Sequence, residues 1–222
     1  MRLVMPSWGL VVITAFSVVS FFGLAAWGWG GVEGLVGNPV RAWGLLVIGV
    51  AAGVSLFSGI HLGGCGRADA FGQWRLLPLS LISLGMAVVP AYCDRRGIGT
   101  IGGEFVRYLG LGLLLVGAIY RVGPMFVLGD RFTWPLASQP GHALLTNGFY
   151  RFVRHPSYAG ALVGGIGWVL LFRSGWGLAL VGLLFPFFLP VVWEEERLLE
   201  AEFGEAYRDY CGRTWRLVPF VY

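Results

Sequence analysis

Residues 3–32 run without a charged side chain, longer than the ~20 apolar residues an α-helix needs to cross a bilayer core. The pattern predicts a first transmembrane helix over 8–29. A basic start ahead of an apolar run also marks signal peptides, but this run is too long and has no clean small-residue cleavage site. Uncharged runs at 42–64 and 76–92 predict a second and a third span. A fourth covers 105–125, with Arg107 and Arg121 near its ends, where arginine side chains can snorkel toward headgroups. Residues 155–193 carry one arginine, Arg173, beside Ser174-Gly175. That predicts a hairpin of two spans, 157–172 and 176–193, joined by a tight turn.

The fold expected is therefore an all-α, polytopic transmembrane helical bundle. It has about six spans, or five if one segment is re-entrant. N-terminal transmembrane helices occupy 1–125, and a C-terminal core over 126–222 contains the hairpin 157–193. Composition agrees. Of 222 residues, 56% are hydrophobic and only 13% charged, about half the usual share in soluble domains, and the mean hydropathy is +0.71. So few charges could not cover the surface of a soluble domain this size.

With six spans both termini share a side. That side holds Arg2, Arg67, Arg75, Arg121, Arg131, Arg151, Arg154, Arg197, Arg208, Arg213 and Arg216, against Arg41, Arg95, Arg96, Arg107 and Arg173 opposite. The imbalance points to a cytoplasmic C-terminus. A net charge of +4 without any basic run fits loops facing anionic headgroups and excludes nucleic-acid binding. No metal set is expected. Cys65, Cys93 and Cys211 lie far apart, and His61 with Cys65, four residues on, makes only two ligands on one helical face. The run Gly97 to Gly102 fits G-x-G-x-x-G, but no strand and helix surround it, so it reads as a loop.

Polarity returns in two places. Residues 129–158 hold His142, His155, Arg131, Arg151, Arg154, Tyr150 and Tyr158. Residues 194–210 begin with Glu194, Glu195 and Glu196, and put Leu199, Phe203, Ala206 and Tyr210 at helical spacing, which predicts an amphipathic helix. Pro156 suits the first turn of the span that follows. The hairpin returns the chain to the face it left, so the Arg/His/Tyr segment meets the glutamates there. Carboxylates beside such a cluster, above apolar helices, suit a zwitterionic or cationic ligand, while an apolar substrate enters from the lipid.

The motif HALLTNGFYRFVRHPSYAG at 142–160, with EE-x-x-L-x-x-x-FG-x-x-Y-x-x-Y at 195–210, resembles the isoprenylcysteine carboxyl methyltransferase family. The likeness covers roughly 126–222, and phospholipid N-methyltransferases are more distant relatives. The closing RTWRLVPFVY is similar to bacterial members, implying a bacterial cytoplasmic membrane. The resemblance implies a membrane-embedded methyltransferase that binds S-adenosyl-L-methionine at its cytoplasmic face and methylates a carboxyl, phenolic, thiol or amine group of a lipophilic acceptor from the bilayer. It implies cofactor contacts from His142, Ala143, Leu144 and Leu145, from Tyr150, from His155, Pro156, Ser157 and Tyr158, and from Glu195.

An ionised acceptor needs no general base; for an amine or phenol, His155 or Glu196 would be nearest. Arg154 could orient an anionic acceptor. One position departs from the family: four residues before the cofactor-binding glutamate it usually has a substrate-contacting Arg, and this chain has Val191. The departure favours an acceptor other than prenylcysteine, such as a phenolic lipid, a quinone-like ring or a small thiol. Two other readings are an NADPH-dependent membrane reductase, since steroid reductases have a similar R-H-P-x-Y-x-G block, and a non-enzymatic transporter or assembly protein.

Overall fold

The structure, a computed structural model, describes residues 6–58, 61–62, 76–128, 133–134 and 144–218. Its helices are α1 (Trp8–Trp29), α2 (Val32–Val36), α3 (Pro39–Ser55), α4 (Leu76–Arg96), α5 (Glu104–Leu128), α6 (Pro156–Leu171), α7 (Gly175–Phe203) and α8 (Glu205–Cys211). The chain is an integral membrane protein built as a helical bundle. Three helices are long and apolar enough to cross a bilayer: Trp8–Trp29, Glu104–Val127 and Gly175–Phe203. Large apolar side chains stand outward along them, among them Trp8, Phe16, Trp27 and Phe105, each more than 70% exposed. In water that would be prohibitive; against lipid it is the expected surface.

Each expected span falls on a helix, with two differences. The second was expected to reach residue 64, but α3 stops at Ser55. His61 instead lies in a two-residue strand, His61–Leu62, paired in parallel with Thr133–Trp134, so the helical face expected for His61 and Cys65 does not form at His61; Cys65 lies outside the described residues. At the other end, the last span does not give way to a separate amphipathic helix at 194. α7 runs unbroken to Phe203, and the break comes at Gly204, with φ +53°. That break shifts the register, so Tyr207 turns inward with Tyr210 while Ala206 is exposed.

The core lies where Ala25 and Met86 of α1 and α4 meet Leu114, Trp168, Leu171, Phe172 and Val181 of α5, α6 and α7. α5 and α6 pack with backbones in contact. Gly110 and Gly117 of α5 face Gly160, Gly164 and Gly167 of α6, and a Cβ at any of Gly110, Gly117, Gly160 or Gly167 would strike the partner helix's backbone. In lipid, close van der Waals contact of this kind is a main source of helix association. The Ser174 hydroxyl caps α7, accepting from the Gly177 amide at 3.0 Å, so the tight turn after α6 forms as expected. The 97–102 segment is a loop turning through Gly97, Gly99 and Gly102, all at positive φ.

Arg107 does not snorkel. It is 4% exposed and donates both terminal nitrogens to Asp94, at 2.7 and 2.9 Å, and to the Leu171 carbonyl at 2.6 Å. Arg41 (2.9 Å) and Arg173 (3.0 Å) reach the same carboxylate, and Arg41 also stacks on Trp29, 3.7 Å from its ring centre. Asp94, whose side chain is fully buried, thereby ties α3, α4, α5 and the α6–α7 turn together.

Candidate functional site

The other end of α6 carries the candidate site. Leu144 and Leu145 are half-buried in an extended stretch, followed by a 3₁₀ turn at Gly148–Tyr150. The turn is seated on α5, where Phe149 packs on Gly123 and meets Tyr120 edge-on. The Tyr150 carbonyl accepts the Tyr210 hydroxyl at 2.6 Å, which fastens the turn to α8. His155 then occupies the N-cap position of α6 with Pro156 as its first residue, the place where a missing N–H costs least.

His155 is 4% exposed and lies between two carboxylates of α7: its Nδ1 is 3.4 Å from Glu195 and its Nε2 3.4 Å from Glu196. Both distances exceed those of strong charge-assisted hydrogen bonds. Burial opposes a charge on His155, but the neighbouring carboxylates outweigh it and raise its pKa to about 9. The imidazole is therefore an imidazolium at neutral pH. Tyr150 is pushed upward by burial and then by Glu195, so its phenol stays protonated. Tyr158 is 8% exposed, with its ring 6.0 Å from that of His155 and 5.5 Å from Phe188.

The two glutamates are treated differently. Glu196 is held by Arg154 through Oε1 at 2.9 Å and by Arg216 through Oε2 at 2.7 Å. Among the described residues Glu195 has no arginine partner. Its Oε2, the His155 Nε2 and the Tyr207 hydroxyl are buried polar atoms without a hydrogen-bond partner there. Unsatisfied buried polar atoms are costly, and the one on Glu195 suits a polar or cationic group arriving from outside.

Leu144, Leu145, Tyr150, His155, Pro156, Ser157, Tyr158 and Glu195 thus lie on the connected stretch from the 3₁₀ turn to α7, while His142 and Ala143 fall outside the described residues. Arg154 bonds Glu196 and the carbonyls of Cys211 (3.0 Å) and Thr214. Ser157 faces α5, where its Oγ accepts from Arg121 Nη1 at 2.9 Å. Arg121 is the cation that sequence reasoning placed at a span end. Its one legible signal is its spacing from Gly110, Leu114 and Gly117, which puts it on the glycine face of α5. Val191, the departing position, packs with Phe185 and Phe188 against Tyr158, Val192 and Leu217.

Comparison with known proteins bears on the same half of the chain. Residues 110–201 match the model of the isoprenylcysteine carboxyl methyltransferase (ICMT) family. A probable protein-S-isoprenylcysteine O-methyltransferase of Oryza sativa subsp. indica is 32% identical over 120 residues, which is 53% of this chain and 63% of that protein. The Mus musculus protein-S-isoprenylcysteine O-methyltransferase is 35% identical over 115 residues, 50% of this chain and 41% of its own length. The matches thus cover less than two thirds of these relatives. Among solved structures, the eukaryotic intramembrane Ras methyltransferase ICMT aligns with 96% of this chain and 77% of its own, at a TM-score of 0.56 and 17% identity, a likeness of fold. Residues 110–201, which include the seam, His155 and Glu195, are thus the part of the chain that is similar to the isoprenylcysteine carboxyl methyltransferase family.

Proposed function

We propose that the protein is a membrane-embedded methyltransferase that takes its methyl group from S-adenosyl-L-methionine and gives it to a lipophilic acceptor from the bilayer. The observation that carries this reading is the buried pair of His155 and Glu195, 3.4 Å apart, with Glu195 Oε2 making no hydrogen bond among the described residues. A carboxylate with no arginine of its own is suited to an ammonium or sulfonium. Bound there, S-adenosyl-L-methionine would supply an electrophilic methyl group on a positively charged sulfur. The residues to hold it are Leu144 and Leu145 through their backbone, Tyr150, the His155–Tyr158 block and Glu195; His142 and Ala143 join them by resemblance.

The residues also restrict the acceptor. His155 carries a proton at neutral pH, and Glu196 is bound by two arginines, so neither is free to serve as a general base. The site therefore suits an acceptor that arrives already ionised, a carboxylate or a thiolate, over an amine or a phenol. What the chain supplies is position and a dry setting, which is enough for a displacement between two oriented groups. Arg121, bonded to Ser157 beside the site, offers the cation that position 191 lacks. The site faces the cytoplasm on the arginine count, with the C-terminus on the same side.

Calorimetric titration of the purified protein in detergent with S-adenosyl-L-methionine tests the reading. Binding that is lost in Glu195→Ala and His155→Ala is the expected result. Binding of equal strength in wild type and both variants would remove these residues from the site.

A further inference from the structure

The last described residues, 211–218, return across the site as a strap. Trp215 pairs in parallel with Val153: its amide donates to the Phe152 carbonyl at 2.9 Å, and its carbonyl accepts the Arg154 amide at 2.8 Å. The His155 amide donates to the Arg216 carbonyl at 3.2 Å. Leu217, 1% exposed, is buried against Tyr158 and Val192. The backbone that presents His155 is therefore bonded on one side to α6 and on the other to the strap.

Arg216 projects from this strap onto Glu196, with Nε at 2.8 Å and Nη2 at 2.7 Å from Oε2. The remaining oxygen, Oε1, is 2.9 Å from Arg154 Nε but 3.4 Å from His155 Nε2. The carboxylate is thus drawn toward two arginines, and His155 Nε2 is left short of a bonded acceptor. Without Arg216 the carboxylate would keep Arg154, and His155 Nε2, which lacks a bonded acceptor, stands 3.4 Å from it. We propose that Arg216 is a positioning residue: by holding Glu196 it limits that carboxylate's approach to His155, whose imidazole stands equally far, 3.4 Å, from Glu195 and Glu196. This rests on the methyl-donor reading only for its functional consequence; the coupling of Arg216 to His155 stands on the geometry.

Among the described residues, the groups around His155 and its two carboxylates are Glu195 and Glu196 from α7, Tyr158 from α6, Tyr150 from the 3₁₀ turn, Tyr207 from α8, Arg154 from the preceding loop, Arg216 from the strap and, through Ser157, Arg121 from α5. Loss of Arg216 removes one positive charge from this set and frees a negative one, so both changes favour the protonated imidazole. An ordinary partly exposed ion pair would leave His155 untouched and contribute little to stability.

The test uses the full chain in detergent micelles with carbon-13-labelled histidine, the His155 signal being assigned by its loss in His155→Gln. In the ligand-free protein, Arg216→Ala and Arg216→Gln should move the His155 titration midpoint upward by roughly half a pH unit or more. Arg216→Lys, which keeps the charge, should leave it near the wild-type value. Titration with S-adenosylhomocysteine should show binding weakened about fivefold or more in Arg216→Ala and Arg216→Gln and largely kept in Arg216→Lys. An unchanged midpoint in folded Arg216→Gln and Arg216→Ala overturns the proposal; if Arg216→Ala does not fold, Arg216→Gln and Arg216→Lys decide it. Failure of the wild type to bind S-adenosylhomocysteine would instead remove the donor reading, and the ligand-free titration would still decide the role of Arg216.

Discussion

Arg121 and Ser157 clasp each other at the end of the glycine seam: Arg121 Nη1 donates to Ser157 Oγ at 2.9 Å, and the same hydroxyl donates to the Arg121 carbonyl at 3.2 Å. The pair continues the two glycine stripes, Gly110 and Gly117 on α5 and Gly160, Gly164 and Gly167 on α6. The seam's closeness thus decides where a guanidinium stands relative to His155, two residues before Ser157. Packing and site chemistry are joined through this one hydrogen-bonded pair.

Substitutions in the seam should consequently disturb both. A methyl group at Gly117 or Gly167 meets backbone atoms of the opposite helix, and backbone cannot step aside as a side chain can. Gly117→Ala and Gly167→Ala should each cost about 1–3 kcal/mol and lower the thermal unfolding midpoint in detergent. Gly112→Ala and Gly182→Ala are the controls, since nothing lies within 4 Å of a Cβ there and alanine is the better helix former. Equal midpoints for all four variants would contradict the seam.

The Asp94 knot makes a second, separate prediction. Three arginines converge on one fully buried carboxylate, and removing one member of such a set leaves uncompensated buried charge, at about 3–5 kcal/mol. Asp94→Asn should sharply reduce the yield of folded protein and its unfolding midpoint. Because the knot sits at the opposite helix ends from His155, the folded fraction of this variant should bind methyl donor with wild-type affinity, and weakened binding per folded molecule would contradict that separation.

An apolar groove supports the lipophilic side of the proposed function. A cavity of ≈380 Å³ opens between α1, α3, α4, α5 and α6, lined by Ser17, Phe21, Ile48, Met86, Gly165 and Trp168 among others. The serines on its wall, Ser17 and Ser83, turn their hydroxyls back onto the Ile13 and Leu79 carbonyls, each at 2.8 Å, so their donors are satisfied within their own helices. At 1.5 Å rise per residue, Gly165 lies about 10 Å below Tyr158 along α6, within reach of a hydrocarbon tail. Filling the groove with Ser17→Trp should raise the KM for long-tailed acceptors several-fold relative to short-tailed ones and leave donor binding alone. A uniform change in both would place the tail elsewhere.

How far the sequence anticipates these features depends on the range of the interaction. The spans, the Arg173 turn, Pro156 at the head of α6 and the meeting of His155 with Glu195 follow from local patterning plus one hairpin, and each is legible. The Asp94 knot is not, because its partners lie 53, 13 and 79 residues away. An arginine count treats Arg41, Arg107 and Arg173 as loop charges when the fold buries the first two. Gly204 hides in a helical pattern and yet ends α7. Arg154 and Glu196 have the right types for catalysis, but what each does is fixed by Thr214 and Arg216, and no local spacing links those residues to them.

The charge on His155 gives the last prediction. Its ordinary pKa is near 6.5; in the fold burial works against the proton, yet Glu195 and Glu196 raise the value to about 9. A raised value means that the folded state binds the proton more tightly than the unfolded chain. The stabilisation is then fully present below about pH 6.5 and is lost as pH rises through about 9. The unfolding midpoint of the wild type should therefore fall between pH 7 and 9.5 more steeply than that of His155→Gln, which has no proton to lose at that position. Donor binding should stay level from pH 6 to 8 and weaken above 9, when the neutral imidazole no longer orders the Glu195 carboxylate. Parallel slopes for the two proteins would mean that His155 is neutral in the fold, and the case for an acceptor that arrives already ionised would lose its support, since an uncharged His155 could serve as a base.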